Sequence, residues 1–423
     1  MKKIWLSLLI LSQIQNASAL TKAAESLIYY ETQANAAAAR SQKPVLMPHY
    51  QIPLEFVGAN FSDKLSEKIK NSLIISVKGK KYVRWILNPE DTKWFAEVEN
   101  YFKEKHNLTL KKRYYYTGYQ TASRSYIVEN PQHTVQFSVK SSTNVTGGLW
   151  ANKKQPVGEA VDSRLNAEFL AEMQKVLKFK NIIIMDEPAI LEIPAIDQAV
   201  VIRDLADINS ATSDKIYLPG FSVLHEKVGA EIALKNGSND PSKFWNEHYI
   251  KATGKALGEF AARTGMQFDS PHSQNFLVEF DKSMKPTGRI VFRDLADLYI
   301  SKDFMTALNS NSTDYFKKFS QKDNLLNVVA AGFGPLHGNK FPSWISQYDY
   351  MSWNADFFIE FEKEFARVSG LDLTSFKIEN GQMNGLYFSN QYKVKQNAQT
   401  DFFWENMKTA KSPRGIFNCA YLF

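Results

Sequence analysis

The residues with the widest chemical reach are His272, Gln274, Asn275 and Asp294. The first three stand together just ahead of Phe276-Leu-Val-Glu-Phe280, an alternating run with Phe276, Val278 and Phe280 on one face. Met284-Lys-Pro-Thr-Gly288 is turn chemistry. A second strand then ends in Arg293-Asp294. This spacing predicts a hairpin whose return strand brings Asp294 back beside Asn275. Mg²⁺ takes hard oxygen ligands and keeps substrate phosphates in its shell. An amide oxygen and a carboxylate so placed make Asn275 and Asp294 candidate Mg²⁺ ligands, with His272 and Gln274 donating to phosphate or ribose oxygens. The plainer reading is a polar loop capped by its own side chains. Asp297 is either a second metal ligand or a charge at a helix start.

The cations come from elsewhere. Lys140 ends the alternating run His133–Lys140, ahead of the hydroxyl-rich, Gly-ended loop 141–148. A Lys so placed can grip phosphate and offset its charge, although the Gly-Lys-Ser/Thr of a P-loop is absent. Arg203 and Arg293 each precede an Asp at the end of a buried-looking strand, where a guanidinium needs a carboxylate or a phosphate. A neighbouring acid is the commoner partner. His337 is a lone loop histidine, and no serine-hydrolase or zinc-protease motif occurs.

The elements that must position these groups follow from periodicity. Helical spacing predicts helices over 63–74, 97–106, 161–177, a long one over 241–263, and 353–368. Strands are expected at 82–86, 133–140, 181–185 and 198–204, and a helix or mobile arm at 20–45. Val201-Ile-Arg-Asp-Leu-Ala-Asp207 recurs once, as Val291-Phe-Arg-Asp-Leu-Ala-Asp297.

Composition sets outer bounds. The chain has 423 residues, 44% of them apolar, which suffices for two or three packed domains. Its net charge of +7 suits an anionic ligand. No Lys/Arg block carries interleaved aromatics, Lys111–Tyr116 coming nearest, so nucleic acid is not the expected partner. One cysteine, Cys419, excludes an internal disulfide and cysteine-based metal centres. Lys2, Lys3, an apolar core and Ala17-Ser18-Ala19 read as a signal peptide cleaved after Ala19, hence a periplasmic or secreted protein. No later segment has the length of a transmembrane helix. Nothing in the sequence bears on oligomeric state.

Residues 130–300 resemble the siderophore synthetases of the aerobactin-synthetase type, which work independently of nonribosomal peptide synthetases. The likeness rests on His272-Ser-Gln274-Asn275, on Arg293-Asp294, on the preceding helix with Phe244-Trp245, on Leu218-Pro-Gly220, and on Lys140 followed by Thr143 and Thr146. The resemblance implies an α+β fold with a kinase-like two-lobed core and an extra N-terminal region. The division would be a signal peptide (1–19), an N-terminal α/β region (20–125), a sheet-rich nucleotide lobe (126–225) and a mainly helical lobe (226–423). It also implies ATP and Mg²⁺ as cofactors. A small-molecule carboxylate or another polyanion would be the ligand, and the reaction would be adenylation with acyl transfer to an amine or hydroxyl. Lys140, Thr143, Thr146, Arg203, His272, Gln274, Asn275 and Arg293 would touch the nucleotide, with Asn275 and Asp294 on the metal and His272 and Lys140 in catalytic positions. Three departures stand out: no Arg follows the Thr/Ser loop at 147–150, the family is longer, and it works in the cytoplasm. A non-catalytic exported binding protein and a kinase-like phosphotransferase are the alternatives on the same scaffold.

Overall fold

The computed structural model describes residues 20–34, 43–145, 152–204, 214–268, 273–301, 321–322 and 341–370. The expectations for residues 1–19, Thr146, His272, His337 and Cys419 lie outside them.

The strands are β1 (Val45–Pro53), β2 (Gly58–Phe61), β3 (Ile74–Val77), β4 (Lys80–Ile86), β5 (Arg113–Gln120), β6 (Ser125–Glu129), β7 (Gln136–Lys140), β8 (Ile182–Ile184), β9 (Ala189–Ile193), β10 (Gln198–Arg203), β11 (Ile216–Pro219), β12 (Met266–Phe268), β13 (Phe276–Phe280), β14 (Pro286–Phe292), β15 (Leu298–Ser301) and β16 (Gln321–Lys322). Among the described residues they make three sheets. The first has the order β2-β9-β10-β7-β6-β5-β1-β4-β3, the second β11-β13-β14-β8 and the third β12-β15-β16. The division expected between residues 125 and 126 falls inside the first sheet, where β5 and β6 pair through Thr117 and Glu129.

Side chains alternate across a sheet, so register decides what faces what. In the first sheet Phe137, Val139, Val200 and Ile202 point into a core with Tyr50, Trp85 and Tyr116. The other face carries Lys140, opposite Val201 and Ser125, and Arg203 two places beyond Val201. In the second sheet Phe276, Val278, Phe280, Ile290 and Phe292 enter a core shared with the C-terminal helices. Leu277 and Val291 point the opposite way. They pack with Tyr119 and Ile127 of the first sheet and with Leu27 and Ile28 of helix α1 (Lys22–Ala34). The two sheets thus present facing surfaces, with α1 between them.

Helix α2 (Val157–Val176) packs Ala160, Val157 and Val161 on Ile190, Ala199 and Val201, beside Lys140 and Arg203. Helices α3 (Lys251–Thr264) and α4 (Gln347–Ser369) pack tightly, because Gly254 and Gly258 let the α4 backbone approach. A Cβ at Gly258 would lie 2.5 Å from Phe361 O.

Several elements differ from the sequence expectation. The long helix over 241–263 is interrupted: Asp240 caps Pro241–Trp245, a π-turn follows at Asn246–Ile250, and only then does α3 begin. The wider turn accompanies burial of Trp245, Tyr249 and Ile250 together. His133 lies in a left-handed turn, where the Asn130 side chain accepts from the Thr134 and Val135 amides, so the strand starts only at Gln136. The stretch after the hairpin, expected to be helical, turns into β15 and pairs with β12. No helix among the described residues is long and apolar enough to cross a membrane.

Candidate functional site

The expected hairpin forms. β13 and β14 pair Phe276 with Phe292 and Leu277 with Val291. One step beyond, the Arg293 amide donates to Asn275 O at 3.1 Å. Asn275 and Arg293 thus extend the row of Leu277 and Val291 that faces α1. Asp294 then adopts a left-handed conformation, φ 64°, and caps a 3₁₀ turn at Leu295–Asp297. Asp tolerates this conformation better than most residues, and it swings the carboxylate toward the first sheet.

There Asp294 Oδ1 accepts from Lys140 Nζ at 2.7 Å and from Arg203 Nη2 at 2.9 Å. Both cations hold a second acid. Lys140 lies 3.1 Å from Glu159 on α2. Arg203 donates to Glu187 Oε1 from Nε at 2.9 Å and from Nη2 at 2.5 Å. Glu187 also accepts from Ser163 Oγ and, at 3.1 Å, from the Leu295 amide, which pins the turn after Asp294. Arg124 completes the cluster, 3.4 Å from Glu159 and 2.8 Å from Gln155 Oε1.

Proximity sets the protonation of these groups. Burial alone would raise the Asp294 carboxyl, but the Lys140 ammonium and the Arg203 guanidinium outweigh it and hold it well below the usual carboxylate range. Burial opposes the charge of Lys140 as well, and Asp294 reverses that and raises its pKa. Glu159 falls to about 2, because Lys140 and Arg124 overcome its desolvation. Asp297 goes the other way, to about 6, through burial and then the neighbouring Asp294 charge. Burial, then Arg124 and Lys140, push Lys153 down to about 8.

A second polar group adjoins this one. Arg293 Nε donates to Gln274 O at 2.7 Å, and its Nη1 lies 2.5 Å from Glu31 Oε1. Buried Glu31 sits within reach of the Arg203 and Asp294 charges, so the two groups are continuous. Asn275 is fully buried, and neither its Oδ1 nor its Nδ2 has a hydrogen-bond partner among the described residues. Such orphaned amide atoms are uncommon in a folded interior.

The structure therefore brings Lys140, Arg203 and Asp294 together, and Asn275 with Arg293 beside them. Gln274 enters through its carbonyl. Thr143 is engaged locally: it bridges to Lys153 by two backbone hydrogen bonds of 3.0 and 2.8 Å, and its hydroxyl accepts from the Val145 amide. As a seat for Mg²⁺ the donor set fits in kind, with one unclaimed amide oxygen and nearby carboxylates. No group of three or more His, Cys, Asp or Glu side chains with metal-binding spacing occurs among the described residues, so any such ion would draw ligands from substrate phosphates.

Comparison of the sequence with known families and with characterised proteins finds no match. Solved structures do match in shape. Aerobactin synthetase IucC of Klebsiella pneumoniae aligns with a TM-score of 0.50 at 11% identity, over 89% of this chain and 66% of its own. Aerobactin synthetase IucA from the same organism aligns at 0.51 and 11%, over 77% and 62%. The chain has a siderophore-synthetase fold. The petrobactin biosynthesis protein AsbB of Bacillus anthracis shares it, with a TM-score of 0.50 at 11% identity over 77% and 60%. The chain spans 60–66% of the length of these siderophore synthetases. At this identity the likeness is one of fold.

Four groups escaped the sequence reading: Arg124, Glu159, Glu187 and Glu31. Glu187 left a trace, an acid just after the apolar run 181–185. Glu31 left a clearer one, a carboxylate on the same helical stripe as Ala24, Leu27 and Ile28.

Proposed function

We propose that this chain is an exported, siderophore-synthetase-like protein that uses ATP and Mg²⁺ to adenylate a small carboxylate and passes the acyl group to an amine or hydroxyl. The observation that carries this reading is the convergence of Lys140 and Arg203 of the first sheet on Asp294 at the end of the hairpin, with Asn275 on the facing hairpin strand and its amide without a partner among the described residues. The two sheets and the α3–α4 pair would correspond to the lobes of a kinase-like core.

Mg²⁺-bound ATP would supply an electrophilic α-phosphorus and a pyrophosphate leaving group. The protein's share is placement and charge. Asn275 Oδ1 and the Asp294 carboxylate would hold the metal. Lys140 and Arg203 would exchange part of their carboxylate contacts for phosphate oxygens as negative charge shifts to the leaving group. Asp294 stays ionised through neutral pH, so it remains available as an anionic ligand.

The test is ATP–pyrophosphate exchange across a panel of carboxylic acids. Exchange with any acid, lost in Asn275→Ala and Asp294→Ala, supports adenylation. Thermal unfolding with millimolar ATP, with and without Mg²⁺, reports binding apart from turnover. No exchange and no shift would refute the reading. One observation favours non-catalytic binding as the second reading: Lys140 and Arg203 each already hold two carboxylates, which leaves less positive charge for a triphosphate.

A further inference from the structure

The positive charge of this chain is unevenly spread. Residues 43–125 hold fifteen Lys and Arg against eight Asp and Glu, which accounts for the whole net charge of +7, and the remainder is neutral on balance. Four of those acids are engaged within the fold. Asp91 accepts from the amides of Trp94 and Phe95. Glu99 accepts from Tyr50, Glu90 from Gln120, and Glu97 from Lys154 and Gln198. The surface of this region is therefore more cationic than the count suggests.

The cations gather at one edge of the first sheet. β3 is its last strand and pairs with β4, Val77 opposite Lys80 and Ser76 opposite Lys81. Lys78 and Gly79 between them have φ of 50° and 77°, as in the two-residue turns that match the twist of a hairpin. The tip so formed projects Lys78, Lys80 and Lys81, all exposed, around Val77, which is 41% exposed. Alternation puts Lys80, Tyr82 and Arg84 on one face of β4. Gln51 pairs with Arg84, and His49, two places along β1, pairs with Arg113, so these cations line the same face. Val83, Trp85 and Tyr50 enter the core from the other. Buried His49 feels their charge: burial, then Arg84 and Arg113, push its pKa down to about 4. Among the described residues Lys78, Lys80, Lys81 and Arg113 form no ion pair with an acid.

Two features select the kind of anion. The nearby rings are already capped by cations: Arg84 lies 3.7 Å from the centroid of Tyr115, Lys112 3.3 Å from that of Phe95 and Lys93 4.2 Å from that of Trp94. They are not open platforms for stacked bases, on which single-stranded nucleic acid relies. The tip instead sets an exposed aliphatic side chain among three long, flexible cations, the combination that lies well at a lipid interface. We propose that the β3–β4 hairpin and the cationic face beside it dock this protein on an anionic lipid bilayer, with Lys78, Lys80 and Lys81 against headgroup phosphates and Val77 at the interface. The docking surface lies outside the Lys140–Asp294 cluster and does not depend on nucleotide binding.

The experiment is co-sedimentation of the full chain with vesicles of phosphatidylcholine, and with vesicles of an equal mixture of phosphatidylcholine and phosphatidylglycerol. The wild type should bind the mixed vesicles at least about ten-fold more tightly and lose that gain at high ionic strength. A lysine near an anionic bilayer strengthens binding about five-fold, so the triple variant Lys78→Gln, Lys80→Gln, Lys81→Gln should bind the mixed vesicles about 100-fold more weakly. A control triple variant, Lys227→Gln, Lys235→Gln, Lys243→Gln, removes the same net charge at exposed helical positions. It should lose less than about ten-fold, because screening confines the attraction to nearby charges. Thermal unfolding checks that both variants fold. Equal losses in the two variants overturn the proposal. So does a wild type that binds both kinds of vesicle equally, or that binds a single-stranded oligonucleotide more tightly than the mixed vesicles, and neither measurement needs a variant.

Discussion

Replacing Asp294 by Asn keeps the shape of the side chain and removes its charge, which leaves Lys140 and Arg203 in a buried cluster short of one acid. Stripping one partner from a buried ion pair costs about 3–5 kcal/mol. Here Lys140 keeps Glu159 at 3.1 Å and Arg203 keeps Glu187 at 2.5 Å. The lower end, about 3 kcal/mol, is therefore expected. For a chain of 423 residues, whose unfolding entropy is about 2.1 cal/mol/K per residue, this lowers Tm by roughly 3–4 °C. The pH dependence carries a sign. Asp294 has a folded-state pKa far below its unfolded value, so its contribution is present in full above the unfolded value near 3.8 and is lost as pH falls toward the folded value. The gap between wild type and Asp294→Asn should be constant from neutral pH to mildly acid pH and narrow under strongly acid conditions. Urea or thermal unfolding at a series of pH values measures it. Adding Lys140→Met to Asp294→Asn should recover part of the loss, because the uncompensated cation is then gone. A Tm within about 1 °C of wild type, or a loss that does not change with acidification, would refute the ion-pair argument.

Other outcomes follow from the same structure. Asp297 titrates at about 6 instead of 3.8, so the fold binds extra proton between those values and loses stability as pH rises through them. Asp297→Asn should remove that decline, worth up to about 3 kcal/mol, in unfolding curves at pH 4 and pH 7. Glu187→Gln weakens the hold on Arg203 and on the Leu295 amide, and should cost about 3 kcal/mol. Asn275→Leu replaces an amide with no partner among the described residues by an apolar side chain of similar size, and urea unfolding should show equal or higher stability; a large loss would mean that the amide is held in place. Gly258→Ala would gain about 1 kcal/mol in an isolated helix. In α3 it should instead destabilise by about 1–3 kcal/mol, because the new methyl meets Phe361 O, and chemical unfolding would show the reversed sign.

Local chemistry was legible in the sequence and long-range pairing was not. The β13–β14 hairpin announced itself through alternation and a turn, and Lys140 was visible at the end of its strand. The insertion of β10 between β7 and β9, which sets Arg203 on the face of Lys140, depends on strand order, and no residue pattern encodes that. The same holds for Glu159 and Arg124, which approach Lys140 only because α2 and the β5–β6 turn pack at the same sheet end. The π-turn was hidden because its residues have ordinary helical composition; its effect emerges only once Trp245 and Tyr249 have a core to enter. His133 misled by alternating with the true strand, while Asn130 decided the local backbone. Glu31 was readable in principle, as a charge on an apolar helical stripe, but its partner lies in a hairpin at the far side of the described chain.

The strands of the nine-membered sheet all precede residue 204, whereas the acid that bridges two of its cations comes 154 positions after Lys140. A nascent chain can thus finish this sheet while the ribosome has yet to deliver Asp294. Until then Lys140 and Arg203 look outward with only Glu159 and Glu187 for company. The late arrival of one carboxylate joins the two halves, so a chain without it would leave Lys140 and Arg203 one acid short.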